Sequence, residues 1–508
     1  MENKKNIIII SALMIAIIII VIITIVFTGK DSATNSATTI DKTDDNLETN
    51  NKATIQLGSN IKVDGSGVEV NGSNVTIVAG GEYTISGELK DGMLEVNTKE
   101  EQKVILNLNG INIKNSNGPA VCITNAKKTI IVLYGDNIIE DGEKYNIDAK
   151  ATLFSNDTLK IKGDGNLEVV GNYKHAIASD DDIIIENGNI TLSSLVDGIH
   201  VNDGFQLDGG LITVKTANDA IESEGIIIIN GGTFNLACND DGITAAGNVT
   251  INNGTFNISK CEEGIESKTL LTINDGLIEI ESNDDGLNST NMVINGGKIY
   301  CNARNGDAID ANGDVSINGG IIVATGANVP EGGLDFDNNT CQITGGTIIA
   351  AGGVNSTPTQ SECTQHVVLL GNLGANSNIR IQDEAGNEVI TFNLGKTYQS
   401  LLISSPNFKS DTNYIVYTGG EISETENFHG LYLDKTNYSN GEENTKFTTE
   451  SILTNLGGNT FMMGGNMNMN GGKGQKGDMQ PGGMPPNMGE NPPEFNEEKN
   501  KIKGMDNT

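Results

Sequence analysis

The stretch ACNDDGITAAG, residues 237–247, places Asp240 beside Asp241 immediately before Gly242 and Ile243. A single phrase of this kind reads as a solvated turn. It recurs, however, as VDGIHV at Asp197, NDAIES at Asp219, EEGIES at Glu263, DDGLNS at Asp285 and GDAIDA at Asp307. Positions 197, 219, 241, 263, 285 and 307 differ by 22 at every step, and a fixed period of this length marks a repeat architecture.

Aligning the chain on that phrase brings other positions into columns. One is aliphatic from Ile185 through Leu207, Ile229, Ile251, Ile273, Ile294 and Ile317 to Ile343, with a second apolar column two residues before it. A third runs through Ile190, Ile212, Phe234, Phe256, Ile278, Ile299, Ile322 and Ile348, and a fourth, Ile199 to Leu334, follows the acidic phrase. Apolar spacing of two means strands that turn alternate side chains inward. Glycine turns such as DGG at Asp208 and NGG at Asn230 separate the second and third segments. Three short strands and three turns per 22 residues predict an all-β right-handed parallel β-helix with a C-terminal β cap. Helical and leucine-rich solenoids are excluded, because the internal period is not 3.6 and no L-x-x-L-x-L phrase is present.

The acidic phrase carries the chemistry. Asp197, Asp219, Asp241, Glu263, Asp285 and Asp307 stack in one file, with Asp240 and Asp284 alongside. Alternation turns Glu222, Glu266, Asn288 and Asp310 outward on the following strand, together with His200 and Thr244, as a candidate carbohydrate-binding column. The neighbouring Gly198, Ala220, Gly242, Gly264, Gly286 and Ala308 are all small, which is expected to leave room for a group to approach the backbone. Unit charges about 4.8 Å apart repel by roughly 1 kcal/mol in water and about 3.5 kcal/mol at an effective dielectric near 20. A hard cation relieves that repulsion, and Ca²⁺ takes six to eight carboxylate, amide and carbonyl oxygens. The alternative is that each Asp caps its own turn by accepting backbone N–H groups. His175 and His200 read as turn or surface residues.

The phrases GEYTISGEL at 81–89, VILNLNGINIKNSNGPAV at 104–121 and DDIIIENGNITL at 181–192, taken with the DDGI series, resemble the clostridial carbohydrate-binding β-helix family. The resemblance covers roughly residues 55–420. It implies a polysaccharide-lyase-like fold, calcium between rungs, and binding of cellulose-like or acidic, uronate-bearing polysaccharides. It places the calcium-binding Asp-Gly positions at Asp197, Asp219, Asp241, Asp285 and Asp307, and the sequence departs from the pattern at Glu263 and His175. Against the binding module stands a calcium-dependent lyase acting by β-elimination, for which Lys215, Lys260 or Lys268 would serve as base.

A formal net charge of −34 disfavours nucleic acid and anionic membrane surfaces as partners. Ile7–Phe27 is an uncharged run long enough to cross a bilayer, and Lys4 and Lys5 precede it. It is read as a cell-membrane anchor that leaves the rest of the chain extracellular, the alternative being a removed signal and a secreted protein. The expected organisation is an anchor at 1–28, a flexible linker at 29–54, the β-helix with its cap at 55–420, and a Gly/Met/Asn-rich tail at 421–508, acting as a monomer. The six cysteines lack zinc-like spacing, and a Cys238–Cys261 bridge is left open.

Overall fold

The structure, a computed structural model, describes residues 40, 45–46, 51–99, 101–374, 377–424 and 426–457. The candidate membrane anchor and the Met-rich segment beyond Gly457 lie outside the described residues. Among the described residues there is no helix, and hence none long and apolar enough to cross a membrane.

One rung suffices to explain the stack. Strands Ile183–Ile185, Asn189–Ser194 and Ile199–Val201 follow one another through tight turns. Each pairs in parallel with its equivalent one rung on, Ile183 with Phe205, Ile190 with Ile212 and Ile199 with Ile221. The same register carries the columns upward through Ile227, Val249, Leu271, Met292, Val315 and Cys341. Every member of the apolar columns is at most 1 % exposed, so each rung adds four or more fully buried side chains worth about 1.5–3 kcal/mol apiece before ordering costs. The chain is thus a parallel β-helix whose interior is one continuous aliphatic core.

Two features of the turns hold the rungs in register. Gly188, Gly210, Gly232, Gly254, Gly276, Gly297, Gly320 and Gly346 have φ between 90 and 141°, a region that a Cβ strongly disfavours. Beside them runs a ladder of side-chain amides. Asn252 Nδ2 donates to Asn230 Oδ1, Asn274 to Asn252 and Asn295 to Asn274, each at 2.8 Å, and Asn318 to Asn295 at 2.9 Å. The file is anchored where Asn230 Nδ2 donates to Asp208 Oδ1 at 2.6 Å.

Both ends are closed by antiparallel pairing. Asn51–Leu57 pairs in parallel with Gly81–Leu89 on one edge but antiparallel with Lys62–Gly65 on the other. At the far end Thr347–Gly352 meets Ser400–Ser404 in antiparallel fashion, and a five-stranded antiparallel sheet with its own core follows.

Two expectations are corrected and one open question is answered. Ordered strands continue past 420: Asn413–Ile422 pairs with Tyr438–Thr448, and Leu453–Leu456 pairs with Val367–Leu370. Tyr438–Thr448 is a largely exposed edge strand, so its composition reads as a tail. Parts of the supposed linker are packed. Ile40 is 4 % exposed, and Asp45 lies 2.8 Å from the Lys160 ammonium and 3.1 Å from that of Lys162. Burial opposes ionisation of Asp45, but hydrogen bonds from those two lysines bring its carboxyl down to about 2. All six cysteines are buried free thiols, so Cys238 and Cys261 are not bridged.

Candidate functional site

Each acid of the file sits in the turn that leads into the third strand of its rung. The inward isoleucine after it, at most 1 % exposed at Ile199, Ile221, Ile243, Ile265 and Ile309, fixes the strand's rotation and therefore where the carboxylate lies. The small residues between acid and isoleucine do not leave room for a ligand. A Cβ on Gly242 would lie 2.4 Å from Gly264 O, and one on Gly264 would lie 2.4 Å from Gly286 O. The neighbouring rung's backbone already occupies that space.

The carboxylates do cap backbone N–H groups, but those of the next rung rather than of their own turn. Asp241 N donates to Asp219 Oδ1 at 2.9 Å, Asp307 N to Asp285 Oδ1 at 2.7 Å and Asp219 N to Asp197 Oδ1 at 3.3 Å. One oxygen of each of Asp197, Asp219 and Asp285 is engaged in this way, and acidic oxygens converge around what remains. Asp197, Asp219 and Glu222 bring ligand atoms within 4.8 Å of one another, as do Asp219, Asp240 and Asp241; Asp241, Glu263 and Glu266; and Asp307, Asp310 and Asp335. The metal file and the candidate carbohydrate column are therefore one set, since Glu222, Glu266 and Asp310 join the carboxylates they were expected to flank. Asp284 and Asp285 enter no such group, because Asn288 stands where other rungs hold an acid and lies 3.5 Å from Asp285 Oδ2.

Burial and mutual repulsion load this file. Burial first, and neighbouring acids second, push Asp241 up to about 8, Asp310 to about 7 and Asp219 to about 6. Glu263 and Asp285 are pushed to about 7 by the same causes, and Asp307 is raised as well. Glu266 and Thr244 point outward as expected but are closed over, at 6 % and 8 % exposure, with Thr244 Oγ1 donating to Glu266 Oε2 at 2.9 Å. Lys268 pairs with Glu266, whereas Lys215 pairs with Glu168 at 3.2 Å. Glu263 Oε2 is buried without a hydrogen-bond partner.

At the lower end the chemistry changes. His175 and His200 are not surface residues: their rings stack with centroids 4.4 Å apart, and His175 is 7 % exposed. Asp197 between them is held below the usual carboxylate range by both imidazoles despite its burial. Burial works against the charge on His200, but Asp197 and Glu222 raise it to about 9.

Reading the repeat alone missed two groups. Asp335 pairs with Asp310 although the step is 25 residues, and only the preceding Leu334, in its aliphatic column, signals the register. A cleft at the cap is lined by Tyr300, Asn302, Arg304, Lys396, His429 and Tyr432. There Tyr300 and His429 stack at 3.6 Å and 5°, and Lys396 donates to Asn302 Oδ1 at 3.0 Å. No local motif joins residues so far apart in sequence.

A family model described as carbohydrate-binding domain-containing protein matches residues 71–306 and 260–450. The chain belongs to that family. A carbohydrate-binding domain-containing protein of Acetivibrio thermocellus is 35 % identical over 136 residues, 25 % of this chain and 48 % of the relative, so the match spans about half of that protein. A solved structure, the polysaccharide lyase-like protein from C. thermocellum as a gadolinium derivative, is 31 % identical. The similarity covers 44 % of this chain and 97 % of that one, with a TM-score of 0.42. Within the family match lies the whole acidic file, from Asp197 to Asp335.

Proposed function

We propose that this chain is a polysaccharide-binding protein whose acidic file holds Ca²⁺ and binds uronate-bearing glycans through those ions. The observation that carries the reading is the row of buried, mutually repelling carboxylates in which Glu263 Oε2 has no hydrogen-bond partner. The donor set fits a hard cation: it is all oxygen, supplied by carboxylates. Asp219, Asp240 and Asp241, then Asp241, Glu263 and Glu266, and then Asp307, Asp310 and Asp335 are the residues that would hold the ions. Bound calcium supplies positive charge at the surface that a glycan carboxylate can complete. The family description supports carbohydrate as the partner, and the absence of tryptophan suits cation bridging better than a stacking platform. Display outside the cell through Ile7–Phe27 belongs to the same reading, because sites of about 10⁻⁴–10⁻³ M affinity suit extracellular calcium.

Lysis is the weaker reading. Of the three candidate bases, Lys268 is ion-paired with Glu266 and Lys215 with Glu168. Incubating the purified chain with polygalacturonate, in calcium and in EDTA, separates the possibilities. Retention in calcium, release in EDTA and no unsaturated product are expected. Retention indifferent to EDTA removes the calcium bridge, and calcium-dependent unsaturated product makes the chain a lyase.

One variant gives effects of opposite sign. Above about pH 8, where the Asp241 carboxyl is ionised, Asp241→Asn removes a charge from between Asp219 and Glu263, so in EDTA it is expected to raise the thermal midpoint, while calorimetry shows weakened calcium binding. A variant less stable than the parent in EDTA would mean that repulsion does not dominate at this position.

A further inference from the structure

The backbone slot that carries Asp219, Asp241 and Glu263 higher in the file carries His175 two rungs below Asp219, and the outward slot of Glu222 and Glu266 carries His200. The scaffold therefore presents nitrogen donors at its lower end in places where it elsewhere presents oxygen. Asp197 Oδ2 lies 2.9 Å from His175 Nδ1 and 3.2 Å from His200 Nδ1, and His200 Nδ1 lies 2.8 Å from Glu222 Oε2. Two imidazole nitrogens and the Asp197 carboxylate thus lie within 4.8 Å of one another, and Glu222 from the next rung reaches His200.

Hydrogen bonding alone satisfies this set poorly. Asp197 N donates to His175 Nδ1 at 3.3 Å, which makes that nitrogen an acceptor. The same nitrogen faces Asp197 Oδ2, a second acceptor, at 2.9 Å. On the other ring a single nitrogen, His200 Nδ1, lies between two carboxylate oxygens and has at most one proton to share. More lone pairs meet here than protons can bridge, whereas a cation accepts all of them.

We propose that His175, Asp197 and His200 form a site for Zn²⁺ with its fourth position open beside Glu222, distinct in donor type from the all-oxygen places higher in the file. Imidazole nitrogen with carboxylate oxygen suits zinc, and calcium prefers oxygen alone. Zinc bonds of about 2.0–2.2 Å set tetrahedral ligands roughly 3.3–3.6 Å apart, so the two imidazole contacts of Asp197, at 2.9 and 3.2 Å, need to open by less than about 1 Å. The Nε2 of His200 faces away from the set, with Glu224 Oε1 3.8 Å from it, beyond hydrogen-bond reach. The remaining two histidines of the chain are engaged elsewhere. His366 lies between Ser410 Oγ and Ser451 O, and His429 lies against Tyr300 and Glu279. One file of a single repeat would then sort cations by donor chemistry, a softer ion at one end and hard ions above it.

The experiment titrates the untagged full chain, freed of metal, with Co²⁺ and then Zn²⁺ in excess calcium. The expected result is one equivalent of Co²⁺ with the intense visible bands of four-coordinate geometry, displaced stoichiometrically by Zn²⁺ and untouched by calcium. Because the spectrum is read on the unaltered chain, a misfolded variant cannot hide it. His175→Gln and His200→Gln are each expected to weaken zinc at least tenfold and leave the calcium isotherm in place, while His366→Gln changes neither. Pale six-coordinate cobalt, displacement of cobalt by calcium, or full zinc affinity in His200→Gln overturns the site. Calcium binding measured in the same samples tests the other reading separately: cobalt bands without calcium heat reject the calcium file alone, and the converse rejects the zinc site alone.

Discussion

In EDTA the chain is expected to lose stability as pH is raised from about 5 to about 8, and calcium is expected to abolish that loss. Model carboxylates titrate near 3.9 for Asp and 4.3 for Glu. In the folded file Asp219 stands at about 6, Glu263, Asp285 and Asp310 at about 7 and Asp241 at about 8. Between those limits the folded chain holds protons that the unfolded chain has released, so the slope of stability with pH is negative. Stability is full below the ordinary carboxylate values and is lost as pH passes through the raised ones. One pKa unit corresponds to about 1.4 kcal/mol, and the groups are coupled, so a total of several kcal/mol is the expected scale. Calcium replaces the protons as counter-charge, and at a hundred times its Kd each ion adds about 2.7 kcal/mol to the folded state. Thermal midpoints at four pH values, with EDTA and with calcium, read the effect directly. A midpoint in EDTA that is flat or rises with pH would sink the electrostatic account of the file.

Replacing Phe256 by alanine carries the second large effect. Its ring stacks on that of Phe234 at 4.6 Å and 3°, in a column whose neighbours are Ile212 and Ile278, and both rings are fully buried. Burial on this scale loses about 3–5 kcal/mol on truncation, because flanking rungs held by backbone pairing collapse little into the void. Thr255–Cys261, the strand that holds Phe256, runs directly into Glu263, so the cavity also loosens the Asp241–Glu263–Glu266 group. Rungs contact only their neighbours, and so the histidine end should keep its geometry. Denaturant unfolding, with hydrogen exchange resolved by segment, checks both parts. Phe256→Leu should cost under about 1.5 kcal/mol, and a loss below 1 kcal/mol for the alanine variant would mean that the rungs repack.

The repeat was legible because a β-helix imposes one environment on each position of its period. Ile185, Leu207 and Ile229 share a column for the same reason that they share burial, and even the 21-residue step from Ile273 to Ile294 kept its register. What escaped depends on contacts made across that period. Asp45 looks like linker composition until three lysines from two strands, Lys128, Lys160 and Lys162, are seen around it. His175 and His200 looked incidental because each breaks a pattern of acids, and only stacking shows that the two breaks meet. Asn288 broke the pattern in the opposite sense, removing Asp285 from any cluster. Tyr438–Thr448 escaped because an edge strand needs few apolar residues, and its partner lies across a loop.

The antiparallel pairings at Lys62–Gly65 and Ser400–Ser404 have a bearing on evolution and engineering. Each terminates the ladder with a strand of the wrong polarity for another parallel rung, so copies of the chain are denied the simplest route to joining end to end as fibres. Growth is directed inward instead. Duplicating a 22-residue module between the two stops should lengthen the rod by about 4.8 Å and add one more cation place, leaving both ends sealed.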